Sequence, residues 1–293
     1  MDDESWVPIH RSSEFQLHNL PMGVFKTRDQ DARIGVAIGD YVLDMKLLAE
    51  ENVFSSLSFD QDTLKTSSLN HYASLGRTVH RRVRGFLVEL LAKDTKHGHL
   101  LRNDAERRTK SLLLMETVQM LLPFDIPNYT DFFVGVYHAQ NCVNIVRPGI
   151  GLNSNYFHLP IAYHGRASSV VVSDTLVRRP KGQYVTEDGL VFGPTRQMDF
   201  EVEFAAFIGT ETQLGDSIDV NTAEDHIFGV VLVNDWSARD IQRWESPSLG
   251  PFNGKNFCTT VSPWVVSLDA LANYRVETVR KVSLVNSIKN SNK

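Results

Sequence analysis

Two glutamates two residues apart are the first feature of this sequence that could do chemistry. Glu201 and Glu203 lie in the run Asp199-Phe200-Glu201-Val202-Glu203-Phe204, which alternates acidic and apolar residues like a β-strand. In a strand both carboxylates point to one face, roughly 7 Å apart. They repel each other unless a cation compensates them, and hard divalent cations bind oxygen ligands. The pattern fits either a metal site or a solvent-exposed polar face with the apolar residues turned inward.

A second group of polar residues follows the apolar strand predicted at 228–233. Asp235 stands at the end of this strand, either as a third oxygen ligand or as the N-cap of the turn that follows. Arg239 and Gln242 are three residues apart, so one helical face carries both. They could donate to a substrate anion or make surface hydrogen bonds. Lys255 follows a glycine and is predicted to be a positioned cation in a Gly-rich turn.

Asp131 and His138 form a third candidate pair. They are seven residues apart, which is two helical turns, so they can share a face. A histidine near a metal site is a natural general base because its unperturbed pKa lies near neutrality, although a structural histidine is the alternative. Together with Glu201, Glu203 and Asp235, Asp131 completes a set of four carboxylates. Such a set favours Ca²⁺ or Mg²⁺ over zinc.

Composition and missing motifs exclude several classes of protein. The 293 residues carry a net charge of −5, which argues against a strongly basic nucleic-acid binder. Two cysteines supply neither a disulfide framework nor a four-cysteine zinc site. No P-loop, G-x-S-x-G or G-x-G-x-x-G motif is present. Without a signal peptide or a long apolar run, we expect a soluble cytoplasmic protein that binds neither membrane nor nucleic acid.

The elements that must position these residues divide near residue 118. Short antiparallel strands are predicted at 22–26 and 33–44, with a hairpin turn at Gly39-Asp40. An apolar stripe over 72–91 predicts an amphipathic helix with its arginines facing solvent, and a second helix is predicted at 104–110. The chain beyond residue 118 is rich in strand patterns. Strands are predicted at 169–172, 200–208, 228–233 and 261–266, with one helical turn at 222–226.

Several of these segments resemble one known family. The runs at 17–25, 128–132, 163–169, 199–203, 234–244 and 249–255 are similar to the fumarylacetoacetase family. The resemblance extends from about residue 14 to 275. It implies a mainly β fold with some α, built from a small SH3-like N-terminal barrel at 1–118 and a mixed β-sandwich roll at 119–276. A divergent polar tail at 277–293 follows.

The resemblance also implies a reaction, the hydrolysis of the C–C bond of 4-fumarylacetoacetate to fumarate and acetoacetate in tyrosine breakdown. The catalytic groups it implies are His138 as proton acceptor and Arg239, Gln242 and Lys255 around the oxyanion. The substrate contacts it implies are Phe133, Arg147, Tyr163, Gln242 and Ser246. The ligands it implies are Asp131, Glu201, Glu203 and Asp235 for Ca²⁺, and Asp235, Lys255 and Thr259 near Mg²⁺.

Three departures from the family pattern leave alternatives open. Phe133 and Ser246 stand where the family has substrate-contacting tyrosines, so two hydroxyls are lost. Family members also continue well beyond this C-terminus, and the missing stretch includes the glutamate that orients the catalytic histidine. We therefore expect an incomplete sandwich with exposed edges and poor solubility, and a homodimer when complete. The alternatives are an inactive relative that keeps metal-binding or dimer-forming surfaces, and a hydrolase of a related diketone.

Overall fold

The structure is a computed structural model that describes residues 4–146, 148–247 and 249–277. Its fold is mainly β with some helices, which confirms the predicted fold class. The strands are β1 (Met22–Lys26), β2 (Arg33–Ile38), β3 (Tyr41–Asp44), β4 (Leu112–Leu114), β5 (Gln119–Leu121), β6 (Tyr129–Phe132), β7 (Ala162–Gly165), β8 (Val170–Val172), β9 (Lys181–Thr186), β10 (Gly189–Pro194), β11 (Met198–Asp199), β12 (Val202–Ile208), β13 (Ile227–Asp235), β14 (Ser237–Ala238) and β15 (Thr259–Val261). The helices are α1 (Met45–Glu50), α2 (Asn70–Ala73), α3 (Arg77–Leu91), α4 (Ala105–Ser111), α5 (Val136–Val146), α6 (Arg239–Glu245) and α7 (Asn253–Asn256).

The N-terminal strands form a five-stranded antiparallel sheet in the order β4-β3-β2-β1-β5. The predicted hairpin is confirmed, because Ile38 and Tyr41 pair across the turn at 39–40. The edge strands β4 and β5 are joined only by residues 115–118, three of which form a 3-10 turn. Even a fully extended link of this length spans roughly 17 Å, whereas the edges of a flat five-stranded sheet lie about 19 Å apart. The sheet must therefore curl, in agreement with a small barrel.

The amphipathic helix predicted over 72–91 is interrupted. It consists of α2 and α3, which are separated at Gly76, where φ is +81°. This left-handed conformation breaks the helical hydrogen-bond ladder and is one that glycine adopts without strain. The apolar stripe of α3 is buried as predicted. The helix predicted at 104–110 is confirmed as α4, whose N-cap Asp104 accepts a backbone N–H from the first turn.

Two arginines of α3, Arg77 and Arg81, connect the two halves of the chain, although Arg81 and Arg82 are exposed to solvent as the sequence predicted. Arg77 and Arg81 both donate to the Asp269 carboxylate, at 3.2 and 3.0 Å. Arg84 donates to the backbone carbonyl of Asn19 at 2.7 Å. The sequence did not predict the ion pair, because Asp269 is 188 residues from Arg81 in the chain. The two ion pairs with Asp269 connect α3 to the segment that follows β15.

One hydrophobic core runs through both halves of the chain. Phe124 stacks on Phe207 of β12 with ring centroids 4.3 Å apart, and Met22 of β1 forms a backbone bridge with Val265. The strand β5 pairs with β1, so the N-terminal sheet reaches past the boundary predicted at residue 118. Because the core is shared, separating the two halves would expose apolar surface to water.

The C-terminal half is built on a four-stranded mixed sheet in the order β12-β13-β15-β8, with β15 and β8 parallel. The strand predicted over 261–266 is wrong in extent. β15 ends at Val261, since Pro263 has no backbone N–H for the ladder, and Val265 and Val266 form isolated bridges. The strands predicted at 169–172, 200–208 and 228–233 and the turn predicted at 222–226 are confirmed with small shifts at their ends.

Three further expectations concern membrane spans, the cysteines and the C-terminal tail. None of the helices in the described ranges is long and apolar enough to cross a membrane. Both cysteines, Cys142 and Cys258, are free thiols. All of the tail predicted at 277–293 except Glu277 lies outside the described residues.

One side of β12 and β13 exposes apolar side chains. Val202 and Phe204 are 69% and 68% exposed, and Leu232, which pairs opposite Phe204, is 61% exposed. Among the described strands β12 pairs only with β13, so it is an edge of the sheet. An apolar face on an unpaired edge strand favours self-association. This agrees with the exposed sheet faces and edges expected from the sequence.

We expect the double substitution Phe204→Thr and Leu232→Thr to reduce self-association, because it removes two facing apolar side chains from this exposed face. Thermal unfolding should change little, since neither side chain is in the core. Sedimentation velocity at several protein concentrations measures the effect. The matched control is Phe192→Thr on β10, which is also exposed but lies on another sheet. An equal loss of association in the control would contradict the assignment to β12 and β13.

Candidate functional site

The acidic face of β12 is turned inward. Glu201 and Glu203 are partly buried, with the Glu201 side chain only 17% exposed. Phe200 and Phe204, on the opposite face, are 61% and 68% exposed. This orientation is the reverse of the polar-face-outward alternative considered from the sequence, which is therefore wrong. Partly buried carboxylates need neighbouring positive charges or hydrogen-bond donors to offset the cost of burial.

Three carboxylates from three strands meet beside this face. Asp131 lies on β6, Glu203 on β12 and Asp235 at the end of β13, and one oxygen of each lies within 4.8 Å of the others. We call these three residues the carboxylate cluster. Asp235 is 1% exposed, and its backbone N–H donates to the Glu201 carbonyl at 3.0 Å. The N-cap alternative for Asp235 is wrong, because α6 has Ala238 at its N-cap and no side-chain cap.

Tyr163 holds two members of the carboxylate cluster. It lies directly opposite Asp131 in the antiparallel pair β6–β7, so both side chains are on the same face. Its hydroxyl donates to Oδ2 of Asp235 at 2.8 Å. Burial and the nearby carboxylate charges raise the pKa of Tyr163 well above its usual value, so the phenol keeps its proton. Tyr163 is therefore a permanent donor to this site.

Two cations compensate Glu201. Lys255 is 3% exposed, and its Nζ lies 2.6 Å from both Oε2 of Glu201 and Oδ2 of Asp235. Arg239, at the start of α6, lies 2.6 Å from Oε1 of Glu201 and 2.9 Å from Oδ2 of Asp199. Burial by itself would raise the pKa of Glu201, but Lys255 and Arg239 outweigh it and hold that pKa below its usual value.

Asp131 and Glu203 form no ion pair with any described residue, in contrast to Glu201 and Asp235. Burial, reinforced by the charges of Asp131 and Asp235, raises the pKa of Glu203 to about 8. Burial raises the pKa of Asp131 to about 6, although a hydrogen bond from Tyr163 opposes the shift. Without a bound cation, Glu203 is therefore mostly protonated at pH 7, whereas Asp131 is mostly ionised.

The carboxylate cluster fits a hard divalent cation. Its ligand atoms are all oxygens, the donors that Ca²⁺ and Mg²⁺ prefer. Oδ1 of Asp235 is buried and accepts no hydrogen bond from any described residue. A buried carboxylate oxygen without a donor is costly, and a bound cation would satisfy it. Glu201 stands next to the cluster, but both its oxygens already face cations.

His138 lies on α5, whereas Asp131 lies on β6, so the two do not share a helix as the sequence predicted. The histidine ring is exposed and packs edge-on against Phe133, with ring centroids 5.6 Å apart. Sγ of Cys142, four residues along α5, lies 3.5 Å from Nε2 of His138. The structure thus places the predicted substrate contact Phe133 beside the predicted base.

Three of the four remaining candidate residues lie within the described part of the chain. Thr259 lies opposite Asp235 in the β13–β15 pair, with its Oγ1 3.1 Å from the Tyr129 hydroxyl. Gln242 accepts a hydrogen bond from Arg239 at 3.2 Å. The Ser246 hydroxyl donates to the Gln242 carbonyl at 2.5 Å. Arg147 lies outside the described residues.

Sequence reasoning missed two neighbours of the site. Cys142 contacts His138, and the spacing of four residues on one predicted helix was the signal that could have found it. Asp199 pairs with Arg239, and it lies two residues before Glu201 on the same face of the strand pattern. In both cases the spacing along the chain could be seen in the sequence, but the contact itself could not.

We predict that the metal-free protein loses stability as the pH rises. Asp131 and Glu203 have raised pKa values, so these two groups bind more protons in the folded chain than in the unfolded chain between about pH 4 and pH 8. Buried His80, whose pKa is lowered from 6.5, opposes this effect at lower pH. The Tm of EDTA-treated protein should therefore fall between about pH 6.5 and pH 8, and Ca²⁺ or Mg²⁺ should raise the Tm most at the alkaline end. Scanning calorimetry checks this, with Glu203→Gln as control because an amide cannot titrate. A slope as steep in Glu203→Gln as in the wild type would refute the assignment.

We predict that Lys255→Met destabilises the metal-free protein by about 3 kcal/mol, because it leaves Glu201 and Asp235 without their shared cation. Added Ca²⁺ should recover more stability in this variant than in the wild type, since the carboxylates lose a competing positive charge. Urea unfolding with and without Ca²⁺ measures both effects. Lys181→Met, at an exposed lysine on β9, is the matched control. Equal stability of the two variants would show that the ion pairs contribute little.

The sequence that forms this site matches the models of one protein family. The family description "Fumarylacetoacetase N-terminal" matches residues 18–123, and "Fumarylacetoacetate (FAA) hydrolase C-terminal" matches residues 136–292. The chain is 45% identical over 281 residues to "Fumarylacetoacetase" of Emericella nidulans, 45% over 276 to that of Homo sapiens and 46% over 277 to that of Bos taurus.

These alignments cover 92% to 93% of this chain but 65% of each relative, so the chain spans about two thirds of their length. A solved fumarylacetoacetate hydrolase from Exiguobacterium antarcticum superimposes with a TM-score of 0.48 at 20% identity, over 85% of this chain and 67% of that one. Together the two family descriptions match most of the residues that build the sheets and the carboxylate cluster. The chain belongs to the fumarylacetoacetate hydrolase family.

Proposed function

We propose that this chain hydrolyses the C–C bond of 4-fumarylacetoacetate to fumarate and acetoacetate with the help of a divalent cation. The observation that carries the proposal is the carboxylate cluster next to a buried lysine and an arginine, in a chain of this family. Full-length relatives bear the name fumarylacetoacetase. The chain spans 65% of the length of these relatives. Their activity is therefore proposed for this chain on the basis of the residues that form its own site.

The cation proposed for the site is Ca²⁺, held by Asp131, Glu203 and Asp235, with Glu201 as the fourth carboxylate. Mg²⁺ is proposed near Asp235 and Thr259, where Lys255 contributes its charge: its ammonium has no lone pair to offer a metal. A bound cation would act as a Lewis acid on the diketone oxygens. The unshared, buried Oδ1 of Asp235 supports this assignment.

His138 is proposed as the base that takes a proton from the attacking water. Histidine is the side chain that most often acts as a general base, and this ring is exposed on α5. The water oxygen bonds to the carbonyl carbon that becomes the second carboxyl group of fumarate. The C–C bond then breaks, its electron pair stays with the departing enolate, and His138 returns the proton to that carbon. Phe133, which packs on the histidine ring, supports a substrate position at this place.

The oxyanion formed during the attack needs donors that are already in place. An ammonium group has three N–H donors, and two of those on Lys255 serve Glu201 and Asp235. The third is therefore proposed to donate to the substrate oxyanion. Arg239 and Gln242, which are hydrogen-bonded to each other on α6, are proposed to support it. Tyr163, Arg147 and Ser246 complete the proposed substrate contacts.

Two wider properties are also proposed. We propose that the protein forms a homodimer when its sandwich is complete, an expectation that rests on its membership of the family. We propose a cytoplasmic location, which is supported by two free cysteines of the kind that a reducing compartment maintains.

The test is turnover of 4-fumarylacetoacetate by the purified 293-residue chain with Ca²⁺ or Mg²⁺, followed as fumarate release. His138→Ala should lower kcat by about 10²-fold or more, as expected for the loss of a general base. His71→Ala, at an exposed histidine on α2, should retain full activity.

Three results would contradict the proposal in different ways. Turnover that His138→Ala leaves unchanged would remove the histidine from the mechanism. No turnover above that variant, with Ca²⁺ still raising the Tm, would identify an inactive relative. Turnover of another diketone in place of fumarylacetoacetate would change the substrate.

A further inference from the structure

Lys255 lies on the short helix α7, and the turn that begins this helix, residues 252–254, is attached to α6 by one carboxylate. Glu245 is the last residue of α6, and its Oε1 accepts the backbone N–H groups of Phe252 at 2.9 Å and Gly254 at 2.6 Å. Its Oε2 accepts the N–H of Asn253 at 3.2 Å. Three consecutive backbone donors thus converge on a single side chain. Hydrogen bonds to a charged acceptor are roughly twice as strong as neutral ones, so this attachment is firm.

Close packing reinforces the attachment. A Cβ built on Gly254 would lie 2.8 Å from the backbone N and Cα of Gln242, which is closer than real Cβ atoms approach other atoms. The turn therefore lies directly against α6, and glycine is required at this point of contact. Any loosening of the turn would begin by opening this gap.

The next residue along the chain is Lys255. A lysine side chain has a flexible four-carbon stem, so the position of its ammonium depends on where the backbone starts it. Here the ammonium is buried and lies 2.6 Å from oxygens of both Glu201 and Asp235. The other cation beside Glu201, Arg239, is at the first position of α6. One short helix therefore sets both cations, Arg239 directly and Lys255 through Glu245.

We propose that Glu245 is a positioning residue for the Lys255 ammonium. It holds the turn at 252–254 so that one ammonium N–H remains aimed at the substrate oxyanion while the other two serve Glu201 and Asp235. The inference rests on the proposed function for its catalytic consequence. The placement of Lys255 can be tested separately from turnover.

The experiment measures how accessible Lys255 is to acetic anhydride. Wild type, Glu245→Ala and Glu245→Gln are acetylated briefly at 25 °C, and modification at each lysine is quantified by peptide mass spectrometry. Exposed Lys181 on β9 is the internal reference. Glu245→Ala should raise the acetylation of Lys255 relative to Lys181 by about tenfold, the size typical of removing a supporting residue. Glu245→Gln should stay close to wild type, because one amide oxygen can still accept from Phe252 and Gly254.

Two controls separate positioning from loss of fold. Cys258 is 5% exposed and lies between Lys255 and β15, so its alkylation by N-ethylmaleimide reports whether an opening spreads from the turn into the sheet, and it should not change. Glu187→Ala removes an exposed glutamate from the β9–β10 turn and should leave Lys255 protected. If Glu245→Ala does not fold, Glu245→Asp and Gly254→Ala replace it. The first draws the carboxylate back by one methylene and the second pushes the turn off α6, and each should expose Lys255 while Cys258 stays protected.

Protection of Lys255 equal to wild type in a folded Glu245→Ala, or in both replacement variants, would overturn the proposal. So would exposure of Lys255 in Glu245→Gln to the same extent as in Glu245→Ala. Where the chain turns over, Glu245→Ala should lower kcat about tenfold with little change in KM, and Glu245→Gln should restore it. A chain without turnover would refute the proposed function, and the acetylation result would still decide the role of Glu245.

Discussion

The compensation of Asp235 is the interaction on which the rest of the site depends. This carboxylate is almost fully buried at the end of the central strand β13, and a buried charge is tolerated only when it is paired and hydrogen-bonded. Lys255 and Tyr163 supply that pairing through Oδ2, and Oδ1 accepts no hydrogen bond within the described part of the chain. The same requirement places a cation and a phenol beside the oxygen that a metal would take. The contacts that neutralise buried Asp235 therefore also orient its other oxygen toward the proposed metal position.

The fold meets this requirement by bringing strand ends together. β13 delivers Asp235, its neighbour β12 delivers Glu203, and the separate hairpin β6–β7 delivers Asp131 and Tyr163 as a cross-strand pair. The adjoining α6 delivers Arg239 and, through Glu245, holds the turn of Lys255. Each contribution comes from one short segment of the chain. The site needs all of them because no single element carries both the negative charges and the groups that neutralise them.

Local patterns predicted much of this arrangement, and their failures have identifiable causes. The hairpin at 39–40, the apolar stripe of α3 and the strands at 200–208 and 228–233 follow from periodicity and turn chemistry. The interruption at Gly76 and the early end of β15 arise where a glycine and a proline override an apolar run. The ion pairs of Arg77 and Arg81 were not predicted because their partner Asp269 is distant in the chain.

The sequence by itself determined which residues were available: four carboxylates, a histidine, an arginine and a lysine, with Glu201 and Glu203 on one face of a strand. It also carried the family resemblance. Only the tertiary structure decided which face of that strand turns inward, that Asp235 is a buried strand end and not a helix cap, and that Glu245 supports Lys255. The physical reason is that alternation specifies two faces but does not label them. Which face is buried depends on what packs against it, and here the apolar face is exposed while the acidic face meets its counter-charges.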